Sequence, residues 1–96
     1  MAQQAEQEQV VDRMPPQAVE EEMAVLGSML IDKDAVSRAI EILDESAFYR
    51  DAHRKIFTAA VNLFEKMENV DMLTLSNELE KMGVLEEVGG AYYITS

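Results

Sequence analysis

The chain has no cysteine and no tryptophan, and its 96 residues include only two prolines, four glycines and one histidine. Without cysteine there can be no disulfide and no thiolate zinc site, and a reducing compartment is the compatible setting. No apolar run approaches the roughly 18–20 residues of a membrane span, and no signal-peptide core opens the chain. Basic residues are scarce too: eight lysines and arginines face nineteen aspartates and glutamates, for a net charge of −11. That balance repels phosphate backbones, so direct nucleic-acid binding is not expected and basic or neutral protein partners are. A cytoplasmic, soluble chain without membrane contact is the resulting expectation.

Hydrophobic residues make up 48% of the chain, enough for a packed core. Ninety-six residues set a single domain that buries about 60–65% of its unfolded surface. Residues 1–14 carry Gln3, Gln4, Gln7 and Gln9 with Glu6, Glu8 and Asp12, and read as a disordered acidic arm. Pro15-Pro16 closes it and starts the helical part, residues 15–96. A first helix is predicted from about Ala18 to Leu30, with Val19, Met23, Leu26 and Leu30 facing inward. Glu20, Glu21 and Glu22 then fall where the helix dipole favours negative charge. Gly27 inside this helix costs about 1 kcal/mol relative to alanine. It marks either a close neighbour or a tolerated weak position.

Asp32 or Asp34 caps a second helix lined by Val36, Ala39, Ile40 and Leu43. The longest amphipathic stretch follows Phe48 and runs to about Met67, with Asp51 as its expected cap. His53, Ile56, Phe57, Ala60, Val61, Phe64 and Met67 recur on one face of a 3.6-residue helix, which makes this the central helix. Asp71 or Thr74 caps a fourth helix bearing Met72, Leu75, Leu79 and Met82, and Gly83 stops it. Gly89-Gly90 introduces Ala91-Tyr92-Tyr93-Ile94. With no period-two pattern and no repeat, the fold class is all-α: a small orthogonal bundle of about four helices plus a truncated fifth.

Little chemistry is visible. Gly89-Gly90 is followed by no lysine, so it is not a phosphate-binding P-loop. Asp32-x-Asp34 starts like a calcium loop but continues with Val36 and lacks the required glycine, which leaves helix capping. His53 lies on the apolar stripe, so a hydrogen-bonded core histidine fits better than a general base or metal ligand. Arg50, Arg54 and Lys55 gather at the start of the central helix, where pairing with nearby carboxylates is expected over phosphate binding. Seven methionines suit either a core or an adaptable binding face.

Four blocks in register carry a resemblance. Pro15-Pro16-Gln17, Glu20-x-Glu22 and Val25-Leu26-Gly27-Ser28-Met29-Leu30 resemble the opening of bacterial replicative helicases of the DnaB family. Phe48-Tyr49-Arg50 with Ala52-His53-x-x-Ile56-Phe57 continues the pattern, as do Asp71-x-x-Thr74-Leu75 with Glu78-Leu79. Gly83-x-Leu85-x-x-Val88-Gly89-Gly90-x-x-Tyr93 completes it. Asp51 stands where the family often has proline and Met23 where it often has glutamine, changes a helix accommodates.

The resemblance implies the all-helical N-terminal collar domain of a hexameric, ATP-driven helicase that unwinds DNA at the fork. It implies contacts with other copies and with primase, no catalysis here, and ATP and magnesium in a RecA-like domain beyond these residues. The family's domain continues into a helical hairpin, so the chain reads as truncated before it. Tyr92, Tyr93 and Ile94, left poorly covered, are then the candidate protein-interface residues; catalytic, cofactor and metal residues are not expected. The alternative is a free-standing acidic adaptor or DNA mimic that binds a basic protein.

Overall fold

The computed structural model describes residues 16–90. The expected arm and the interface candidates Tyr92, Tyr93 and Ile94 lie outside those residues. Four α-helices occupy the described part: α1, Pro16–Ile31; α2, Lys33–Ile42; α3, Asp51–Glu65; and α4, Met72–Lys81. A short 3₁₀ turn, Glu45–Ala47, sits between α2 and α3. The all-α class is as the sequence predicts.

Three elements begin at an aspartate whose carboxylate accepts a backbone amide that the helix leaves unpaired. Asp32 accepts from the Asp34 amide at 2.9 Å and allows α2 to start one residue after α1 ends. Asp44 does the same for the 3₁₀ turn through the Ser46 amide at 2.9 Å. Asp71 and Thr74 form a reciprocal capping box, each side chain holding the other's backbone amide at 2.9 Å. The C-terminus of α4 closes on Gly83 at φ +78°, with Gly83 N–H donating to Glu80 and Val84 N–H to Leu79. That pair of bonds is a Schellman closure, which asks for a left-handed residue at this position.

The same closure ends α3, but with a methionine. Met67 N–H donates to Phe64 and Glu68 N–H to Leu63, both at 2.9 Å, and Met67 holds φ +61°. A side chain in this region costs about 1 kcal/mol that glycine avoids. Among the described residues no other non-glycine has a positive φ.

α3 touches α1, α2, the 3₁₀ turn and α4, and so is the central helix. Its buried face is His53, Ile56, Phe57, Ala59, Ala60 and Leu63. Leu26 and Met29 of α1, Val36 and Ala39 of α2, Leu75 and Leu79 of α4, and Phe48 and Val88 complete the core. The Phe48 and Phe57 rings lie 5.2 Å apart, tilted by 39°. The predicted stripe is wrong at its far end. Phe64 is 41% exposed and Met67, already outside the helix, is 93% exposed. The stripe drifts because α4 lies along the Asn62–Leu63–Lys66 side. Asn62 and Lys66 hydrogen-bond Glu78 of α4 at 3.2 and 2.9 Å. Leu63 is therefore buried where periodicity alone selects Phe64.

Two smaller corrections concern glycine and capping. Beyond its chain neighbours and the backbone of its own helix, nothing lies within 4 Å of where a Gly27 Cβ would stand, so the glycine serves no close approach by another element. Gly27→Ala is expected to raise stability by about 0.5–1 kcal/mol, read as a higher urea midpoint. Asp51 is not a cap either. Arg50 occupies the cap position with no side-chain bond, and Asp51, the first helical residue, instead meets Lys55 at 2.7 Å.

Candidate docking face and its anchor

The chain entering α3 is held from another helix. Glu22, on the second turn of α1, accepts from the Tyr49 amide at 2.6 Å and from the Arg50 amide at 3.5 Å. The same carboxylate lies 2.6 Å from His53 Nδ1, and His53 is fully buried. One side chain thus anchors the segment leading into α3 and pairs with the helix's sole histidine. Arg54 reinforces the entry by donating to the carbonyls of Phe48 and Tyr49 at 2.9 and 2.7 Å. A core histidine with a polar partner is as the sequence predicts; the identity of the partner is not.

Burial pushes the Glu22 carboxyl up, but the bonds from His53, Tyr49 and Arg50 outweigh it and hold the group below its ordinary value. The Lys66 ammonium, with the Asn62 amide behind it, lowers Glu78 against the opposing effect of burial. Both carboxyls bind protons less readily folded than unfolded. Their contribution is therefore complete above the unfolded carboxylate value of 4.5 and is lost as pH falls through the lower folded values. Thermal melts are expected to show a plateau near neutrality and a fall beginning below about pH 4.5, with a shallower fall in Glu22→Gln.

Arg54 and Lys55 of the basic cluster are drawn into internal contacts, as their acidic surroundings predict. Lys55 pairs with Asp51 and Glu87, while Arg54 lies 3.9 Å from Asp51 besides holding two carbonyls. These residues border an open hollow with Glu45, Ser46, Thr58, Met82 and Val84. Its cations face carboxylates, so it offers no anion site. Among the described residues no group of three or more histidines and carboxylates could hold a metal ion. No helix among them is long and apolar enough to cross a membrane.

An apolar groove is the feature left over. It runs between the start of α2 and the end of α3, has a volume of about 470 Å³, and takes its apolar lining from Val36, Phe64, Met67 and Val70. Lys33, Asn69 and Val70 also line a smaller hollow beside it, which extends the face to Ile31, itself 87% exposed. Periodicity places Phe64 and Met67 in the core; the structure puts them on this surface instead. The signal for such a face is an apolar stripe that outlasts the helix covering it.

Residues 14–96 match the DnaB-like helicase N-terminal domain family. The chain belongs to that family. Replicative DNA helicase DnaB of Rhodothermus marinus is 51% identical over 87 residues, 91% of this chain and 9% of that protein. Replicative DNA helicase DnaC of Bacillus subtilis is 44% identical over 84 residues, 88% of this chain and 18% of the relative. The crystal structure of the N-terminal domain of DnaB helicase from Mycobacterium tuberculosis aligns with a TM-score of 0.75 at 39% identity. That alignment covers 77% of this chain and 54% of the other. The DnaB-type domain described here therefore spans under a fifth of the full-length relatives it matches.

Proposed function

We propose that this DnaB-type domain, residues 15–96, is the non-catalytic assembly and primase-interaction module of a hexameric replicative helicase. In this reading the parent protein is cytoplasmic and unwinds duplex DNA at the fork, using ATP and magnesium bound in its motor domain. The carrying observation is the family match across residues 14–96, with relatives named as replicative DNA helicases. Other copies of the helicase and primase are the proposed partners. The −11 charge supports protein contacts over direct contact with nucleic acid. It does not favour a DNA mimic. Asp32, Asp44 and Asp71 cap helices, Glu22 and Glu78 hold partners on and just after α3, and no phosphate-like row remains among these five.

The test is deletion of residues 1–96 from the complete helicase that carries them. Sedimentation, ATPase assays and co-migration with primase then report assembly, chemistry and partner binding separately. Loss of stable rings and of primase binding, with ATP hydrolysis retained, is the expected result. Unchanged rings and unchanged primase binding would overturn the proposal.

A further inference from the structure

We propose that the groove between α2 and α3 docks a basic amphipathic helix of a partner protein, with Met67 as its central contact. The inference rests on reading the domain as an interaction module, and it names a surface and a partner chemistry that this reading leaves open. Three independent features converge here. The first is shape: Val36, Phe64, Met67 and Val70 supply the apolar lining of an open groove, continued by Ile31. Laying the apolar face of a helix into such a groove is a common recognition mode.

The second is the backbone of Met67. A left-handed residue ends α3, and glycine would hold that conformation without strain, as Gly83 does at the end of α4. Instead the position carries a long, flexible thioether that is 93% exposed. Inside the domain that side chain contributes almost no burial. Methionine is, however, an adaptable contact for a partner's apolar surface. Strain retained at an exposed position, with no return in packing, points to a use outside the fold.

The third is charge. The charged groups lining the groove are Lys33 and Asp34 from α2 and Glu68 from the loop after α3. Asp32 and Asp71 border the adjoining hollow. Four carboxylates against one lysine, on a chain of charge −11, select lysines and arginines flanking the partner's apolar stripe. Two copies of this acidic groove repel each other, which opposes pairing of the groove with its own counterpart in a second copy.

The probe is a synthetic leucine–lysine amphipathic helix, titrated into the 96-residue chain carrying ¹³C-methyl-labelled methionine. The Met67 methyl is expected to shift while that of buried Met29 stays in place, and added salt should weaken the binding. Met67→Gly should weaken it by roughly tenfold while leaving the chain folded and at least as stable, which separates lost contact from lost fold. Binding that leaves the Met67 methyl unmoved, or is equal in Met67→Gly, overturns the inference. So does a Met67 methyl that shifts with protein concentration alone, because the occupant is then a second copy. If the peptide result fails while deletion of residues 1–96 still abolishes rings and primase binding, only the groove assignment is lost. If the peptide result holds and deletion changes nothing, only the functional reading is lost.

Discussion

Phe57→Ala is expected to lower the unfolding free energy by about 3–5 kcal/mol, the largest effect of any single change considered. The ring is 2% exposed, stands at the middle of α3 and stacks against Phe48. Removing it leaves a cavity on the helix that contacts each of the other described elements, in a core packed too closely to fill it without cost. Against a typical domain stability of about 5–15 kcal/mol, the variant should be close to unfolded at physiological temperature. Phe57→Leu keeps most of the volume and should lose far less. Phe64→Ala is the informative control, since the same residue type seven positions on is 41% exposed. Urea denaturation followed by circular dichroism should rank Phe57→Ala far below Phe57→Leu and Phe64→Ala. Equal losses at positions 57 and 64 would mean that the buried face has been misassigned.

Glu22→Ala comes next, with an expected loss of about 2–4 kcal/mol. The change removes the acceptor for the Tyr49 amide and the carboxylate beside Nδ1 of a fully buried imidazole. For a domain of this size each kcal/mol moves the midpoint by about 4–8 °C, so the melt should fall by roughly 10 °C or more. Glu22→Gln can still accept from Tyr49 but no longer carries charge to His53, and should fall between the two. Glu21→Ala, on the exposed side of the same helix, should be nearly silent. A Glu22→Ala melt indistinguishable from that of Glu21→Ala would remove the anchor from the account.

These two residues differ in how readable they are. Phe57 is legible because its burial follows from periodicity within α3, a signal contained in neighbouring residues. The caps at Asp32, Asp71 with Thr74, and Gly83 are legible for the same reason, since each is a local rule about backbone amides and carbonyls. The 3₁₀ turn goes unpredicted, although Asp44 two residues before Ser46 carries the usual turn signature. Glu22 is not legible. Three consecutive glutamates look alike locally, and only the packing of α1 on α3 brings one of them to a histidine 31 positions away. Asp51 is mistaken for a cap because the cap position falls one residue earlier, on Arg50, whose side chain makes no cap bond.

The docking face fails to show for a related reason. Phe64 and Met67 satisfy the helical pattern, but the pattern does not reveal where the neighbouring helix stops covering it. Nor does a methionine announce a left-handed backbone, for which glycine or asparagine is the usual sign. Family resemblance is carried by blocks of local sequence, and those blocks are enough to identify the family. They do not rank the surfaces.

The claim that joins fold to function is that Met67 is kept for a partner at the expense of the end of α3. Melting temperatures of the wild type, Met67→Ala and Met67→Gly test it most directly. Alanine keeps the backbone strain and removes the side chain; glycine removes both. Alanine is expected to leave the midpoint nearly unchanged, while glycine raises it by the equivalent of about 1 kcal/mol. A marked loss of stability in Met67→Ala would contradict that claim, because the side chain would then be holding the domain together.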